Sequence, residues 1–270
     1  MTLRHRIVAG GLALVSASAF AAGEAALLTK EEMAAAVRTD DFSIPTPAEL
    51  MAALNKQGKL DWSAKFRAPI ATNYPSRAQL ALNLGTLVAD GFIAVEAEDA
   101  QQVKNLGKDI MSLVKNLGAS NEVMMRGSSI TDFAERKQWD QLQEELEATQ
   151  NEVKSSMIDK KDADLIPLVT VGGWMRGTEA ITTYLADHYS EGGAKILRQP
   201  AIVSYLNQKL DALPDKMRDD PKVKATRVKL IEMEQLIAFP RDKAPSKEDV
   251  QKLGALAQEL VKEIARKETK

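Results

Sequence analysis

The chain has 270 residues, a formal net charge of −2, 44% apolar and 27% charged residues, and no cysteine. These values are ordinary for a globular protein and exclude wholesale disorder, while the missing cysteine excludes disulfides and thiolate metal sites. A mildly acidic chain without a basic block also argues against nucleic acid as its main partner.

The first 21 residues have the pattern of a secretory signal peptide. Arg4 and Arg6 precede an uncharged, mostly apolar run, and Ala19 and Ala21 stand at the two positions that a signal peptidase reads. We predict cleavage after Ala21, which leaves a mature chain of net charge −4 with no integral membrane segment. An exported protein without disulfides or N-glycosylation sequons is predicted to be periplasmic or secreted, from a bacterium.

Residues 22–75 are predicted to form an N-terminal arm of two short helices. Thr29 with Glu32 makes one capping box and Thr46 with Glu49 makes the second, just before Pro47 at a first helical position. Prolines interrupt the chain between and after these helices, at Pro45, Pro69 and Pro75.

The remainder, 76–270, is predicted to form a single helical domain. Aromatic residues make up only 5% of the chain, so the core must be aliphatic, which favours helices over sheets. Amphipathic patterns predict helices over about 99–117, from a capping box at Ser129 and Asp132 to about 158, and after Pro200, Pro221 and Ser246. The fold class is therefore all-α: an antiparallel multi-helix bundle or helical-hairpin array of about nine helices with a Pro-broken N-terminal arm.

Two segments, about 77–97 and 165–187, are apolar around most of their circumference and are predicted to be central, adjacent helices. A strand at 166–171 and a helix break near Gly177 are the alternatives for the second segment. Each segment carries isolated charge, and an unpaired buried charge is costly. We therefore predict a buried, bidentate ion pair between Asp90 and Arg176.

The most unusual local stretch is 172–179, which combines glycines with Trp174, Arg176 and Glu179. These side chains, with Asp90, are candidates for ligand-binding residues that line a pocket. The alternative, which we favour from sequence, is close helix packing at the glycines and a structural role for the charges. His188 is the single histidine of the mature chain, so no metal site and no cofactor are expected.

No catalytic motif is present in the sequence, which favours a non-catalytic protein. The leading functional hypothesis is an exported helical protein that binds a protein or a cell-envelope component. The second is a helical small-molecule-binding protein with its pocket near Trp174, Arg176 and Glu179. The third is a carboxylate-dependent hydrolase of envelope polymers, which requires two carboxylates about 5–10 Å apart in an open groove.

Overall fold

The computed structural model describes residues 47–58, 60–118, 121–237 and 243–267. Of these residues 78% are helical and none lies in a strand, which confirms the all-α prediction. The described part of the chain contains eleven α-helices, nine of them with at least seven residues. The predicted signal peptide and the predicted helix after Thr29 lie outside the described residues.

The helices follow one another in this order: α1 (Pro47–Asn55), α2 (Arg77–Glu96), α3 (Ala100–Asn116), α4 (Asn121–Glu135), α5 (Trp139–Asp159), α6 (Ile166–Asp187), α7 (Glu191–Lys195), α8 (Pro200–Asp211), α9 (Asp215–Arg218), α10 (Pro221–Ile237) and α11 (Lys247–Ala265). Two short 3₁₀ turns, Ser63–Lys65 and Ala163–Leu165, lie in the connections. Several helices begin at the predicted caps: Ser76 accepts from the backbone of Gln79, and Ser246 with Asp249 forms a complete capping box.

The two apolar helices α2 and α6 are packed against each other at the centre, as predicted. On one side of this pair, α3, α4 and α5 follow in sequence, each packed on the helix before it. On the other side, α11 packs on α6, and α10 and α8 lie beyond it. The segment 60–75 runs across α2 with Trp62 and Tyr74 buried.

Glycines allow the backbones of α2 and α6 to approach closely. A Cβ atom built on Gly172 would lie 2.0 Å from the carbonyl oxygen of Leu82, and one built on Gly85 would lie 1.9 Å from that of Val169. No side chain fits in such spaces, so the crossing requires glycine at both positions. Helix α6 runs without interruption through Gly177, so both alternatives for this segment, a strand at 166–171 and a break near Gly177, are wrong.

The prediction of a helix start at Ser129 is wrong. Ser129 lies inside α4, a helix that the sequence patterns did not reveal, and a separate helix begins at Trp139. The boundary arises because Lys137 adopts a left-handed conformation (φ 55°) and the N–H of Gln138 donates to the carbonyl of Phe133 at 2.9 Å. This is the usual closure of a helix C-terminus, here without the glycine that normally marks it.

Helix α2 is the one helix among the described residues that is long and apolar enough to cross a membrane, and 94% of its most apolar 18-residue stretch is buried inside the protein. Its buried polar side chains form hydrogen bonds in the core, and among the described buried side-chain atoms Oδ1 of Asn83 alone has no partner. The amide of Gln79 donates to the carbonyls of Ile264 and Arg266, both at 2.9 Å, and Asn83 donates to that of Ile264 at 2.9 Å. These bonds satisfy the last carbonyls of α11, which would otherwise lack donors.

The glycine crossing gives a first prediction. Replacing Gly172 with alanine should lower the free energy of unfolding by about 3 kcal/mol, because the new methyl group meets backbone that cannot move aside. Replacing Gly107 of α3 with alanine should raise the free energy of unfolding by about 0.5–1 kcal/mol, because a Cβ there meets nothing within 4 Å and alanine is the better helix former. Urea unfolding followed by circular dichroism measures both, and equal effects of the two substitutions would contradict the crossing geometry.

Candidate functional site

The predicted ion pair between Asp90 and Arg176 is present and buried. Nε of Arg176 donates to Oδ1 of Asp90 at 2.6 Å. The contact is not bidentate, which corrects the prediction, because the second carboxylate oxygen accepts from Nε of Arg67 at 2.7 Å. Arg67 comes from the segment 60–75 and also donates to Oγ1 of Thr86 at 2.8 Å.

The remaining nitrogens of Arg176 are also occupied. Nη1 donates to Oε2 of Glu179 at 3.2 Å, and Nη2 donates to the carbonyl of Lys65 at 2.5 Å. Burial raises the pKa of Glu179, and the nearby guanidinium groups of Arg176 and Arg67 only partly oppose this shift. These residues, which we call the arginine cluster (Arg67, Asp90, Arg176 and Glu179), attach segment 60–75 to the central helix pair.

Trp174 does not join the arginine cluster. Its Nε1 faces Oε1 of Gln199 at 3.4 Å, and its ring borders a cavity of about 10 Å³, which has room for about one water molecule. The structure thus brings together Asp90, Arg176 and Glu179 and places Trp174 elsewhere. A ligand role for these four residues stays a prediction.

A much larger cavity, of about 690 Å³, lies between α2, α3, α4, α5 and the beginning of α6. Its wall is mainly aliphatic and includes Leu84, Leu106, Ile110, Val114, Ile130 and Val153. Three methionines, Met111, Met124 and Met157, add flexible apolar surface. We call this space the aliphatic cavity; its volume lies within the roughly 300–1,000 Å³ typical of small-molecule sites.

Three glycines help to create this cavity, because they place no side chain in it. Gly91, Gly107 and Gly127, from α2, α3 and α4, all line it. The nearest atom to a Cβ built on Gly91 would be Cδ1 of Ile110 at 3.8 Å, and a Cβ on Gly107 would meet nothing within 4 Å. Gly91 therefore has room for a side chain toward the cavity, whereas Gly85, six residues earlier on α2, sits in the tight crossing.

The polar residues of the lining lie mostly at its edge. The exposed residues of the lining, polar or not, all come from α3 and α4, so the cavity opens to solvent along these two helices. They are Gln101, Lys108, Met124, Ser128 and Asp132. Lys104, also on α3, pairs with Glu135 at 3.2 Å. Lys154 stands on the α5 wall, where burial lowers its pKa.

The sequence analysis did not find this cavity, because it searched for unusual residues within one stretch of chain. The lining is assembled from five helices, and each contributes an ordinary amphipathic face. The only local indication is the set of glycines on three successive helices, which has no meaning until the helices are placed side by side.

A smaller polar cavity of about 160 Å³ lies between residues 66–70, α2 and α3. Two carboxylates line it, Asp90 and Asp109, and burial raises the pKa of Asp109. Both oxygens of Asp90 already accept from arginines, so this carboxylate is fixed as a structural anion. The arrangement gives the hydrolase hypothesis no support.

No protein family, curated protein or solved structure matches the chain. Within the described ranges, no three histidine or carboxylate side chains are grouped so as to hold a metal ion. His188 caps the C-terminus of α6 and stacks on Tyr184 with ring centroids 4.8 Å apart.

The arginine cluster gives a second prediction. Replacing Asp90 with alanine should destabilise the protein by about 3–5 kcal/mol, because Arg176 is 3% exposed and would lose its main counter-charge. The control, Asp219→Ala, removes an exposed pair with Lys224 and should not move the unfolding midpoint. A small effect of Asp90→Ala in urea unfolding would mean that the cluster does not hold the fold together.

Glu179 gives a third prediction, on pH. In the unfolded chain the Glu179 carboxyl group loses its proton near the ordinary glutamate pKa of about 4.3. In the folded protein the pKa of Glu179 is raised by burial, so the carboxyl group keeps its proton to higher pH. The stability that Glu179 contributes is therefore complete below the unfolded pKa and is lost as pH rises through the folded pKa. The difference in unfolding free energy between the wild type and Glu179→Gln should fall from pH 4 upward, and a difference that stays flat or rises would contradict this assignment.

Proposed function

We propose that this protein is an exported, non-catalytic binding protein that holds the acyl chain of a cell-envelope lipid, or a similar single-chain amphiphile, in the aliphatic cavity. The observation that carries the proposal is the cavity itself, about 690 Å³ of largely aliphatic space between α2, α3, α4 and α5. A space of this size and lining is suited to an elongated apolar ligand.

The lining chemistry supports binding rather than catalysis. Among the described residues, Asp132 is the one carboxylate that borders the aliphatic cavity, and its side chain is exposed at the edge. General acid–base chemistry needs a titratable group within hydrogen-bond reach of the reacting atom, and a long alkyl chain in this cavity would meet methyl and methylene groups instead. The methionines add a wall that adapts to chains of different shape.

The proposal joins two of the hypotheses drawn from the sequence. The ligand is a cell-envelope component, as in the leading hypothesis, and it is a small molecule, as in the second. The location differs, because the cavity lies on the α3–α5 side of the central pair and not near Trp174. Export to the periplasm or beyond, predicted from the signal peptide, would place the protein where envelope lipids are exchanged.

A cavity-filling substitution provides the fourth prediction. Gly91→Leu should weaken binding of dodecanol to the mature chain at least tenfold, because the leucine side chain would project into space that the ligand needs. The free energy of unfolding of the variant should not fall, since leucine is a better helix former than glycine. Binding is measured as displacement of the neutral dye Nile red at amphiphile concentrations below micelle formation.

The matched control is Ser155→Leu, which adds the same side chain on the exposed face of α5 and should leave binding unchanged. Failure of the wild type to bind any single-chain amphiphile, or equal binding of dodecanol by wild type and Gly91→Leu, would refute the proposed function.

A further inference from the structure

We infer that the ligand of the aliphatic cavity carries an anionic head group, a carboxylate or a phosphate, which binds the ammonium group of Lys154; this rests on the proposed function. The inference identifies the class of ligand, an anionic single-chain amphiphile, and the residue that selects it.

Lys154 is placed unusually for a lysine. It lies on the wall that α5 contributes to the cavity, next to Val153 and one turn before Met157, and its side chain is half-buried. None of the ion pairs among the described residues involves it. A desolvated ammonium group without a counter-charge is costly, and an anion bound in the cavity would offset that cost.

Of the two other lysines that line the cavity, one is already neutralised. Lys104 pairs with Glu135 at 3.2 Å, and the pair is partly exposed, so an incoming anion would have to compete with a carboxylate. Lys108 is exposed on the outer part of α3. Among the described lining residues, Lys154 is therefore the cation that combines contact with the cavity, partial burial and the lack of an ion-pair partner.

The charge balance of the lining points in the same direction. With Lys104 neutralised by Glu135, two lysines (Lys108 and Lys154) remain against one carboxylate, that of Asp132, among the described lining residues. A cationic head group would meet this excess of positive charge, and a neutral one would leave Lys154 uncompensated. An anionic head is the complement, because its oxygens accept charge-assisted hydrogen bonds from the ammonium while the alkyl chain fills the aliphatic space.

Head-group selectivity tests the inference. Dodecanoate, dodecyl phosphate, dodecanol and dodecyltrimethylammonium would each displace Nile red from the mature wild-type chain and from Lys154→Met, Lys154→Arg and Lys108→Met. In the wild type we expect both anions to bind at least tenfold more tightly than dodecanol, and the cation to bind most weakly. The anion preference should persist in 0.5 M NaCl, because a half-buried pair is screened less than an exposed one.

The variants separate the role of Lys154 from general charge. Lys154→Met should reduce the preference for anions over dodecanol to about twofold or less while dodecanol affinity stays the same or rises. Lys154→Arg should keep most of the preference, and Lys108→Met, which removes an exposed charge, should keep nearly all of it. The tighter of the two anions identifies whether a fatty-acid carboxylate or a lipid phosphate is the source of the head group.

The outcomes distinguish this inference from the proposed function. If dodecanol binds the wild type as tightly as dodecanoate, or if Lys154→Met keeps the wild-type preference, the anionic head group is refuted and the cavity still binds an acyl chain. If none of the four amphiphiles binds the wild type, the proposed function has failed and the inference fails with it.

Discussion

The backbone contact between α2 and α6 is the constraint on which the rest of the structure depends. At Gly85 and Gly172 the backbone of one helix lies where a side chain of the other helix would otherwise be. The two helices therefore form one rigid unit. Every other long helix packs on this unit directly or through one neighbour. The apolar circumference of both helices follows from this position, because a helix surrounded on all sides can keep few unpaired polar groups.

Several polar groups on the central pair connect it to other parts of the chain. Gln79 and Asn83 satisfy the carbonyls at the end of α11, a boundary that would otherwise be buried with unpaired acceptors. Asp90 joins Arg176 to Arg67 and thereby attaches segment 60–75. The buried charge is thus explained by attachment of segments that are distant in sequence, and no ligand is needed to explain it.

Helix α2 forms the tight crossing with α6 and also contributes to the wall of the cavity. Gly85 faces α6, where no space remains, and Gly91 faces Ile110 and the space enclosed by α3, α4 and α5. A large apolar cavity weakens packing, since its lining loses contacts that a filled core would supply. A ligand that fills the space restores these contacts, so binding and stability of the α3–α5 layer are expected to be coupled.

The sequence by itself determined the helical class, most helix boundaries and the central pair, because periodicity, capping residues and the cost of an unpaired buried charge all act within short stretches of chain. It also predicted the partner of Asp90, since Arg176 offers a cation on the only other segment of comparable apolarity. The boundary at Lys137 escaped prediction because a non-glycine residue adopts the left-handed conformation there. Arg67 and the cavity were decided by the tertiary structure alone. Both depend on where a distant segment or a neighbouring helix is placed, and the space between several helices has no counterpart in the residue pattern of any one of them.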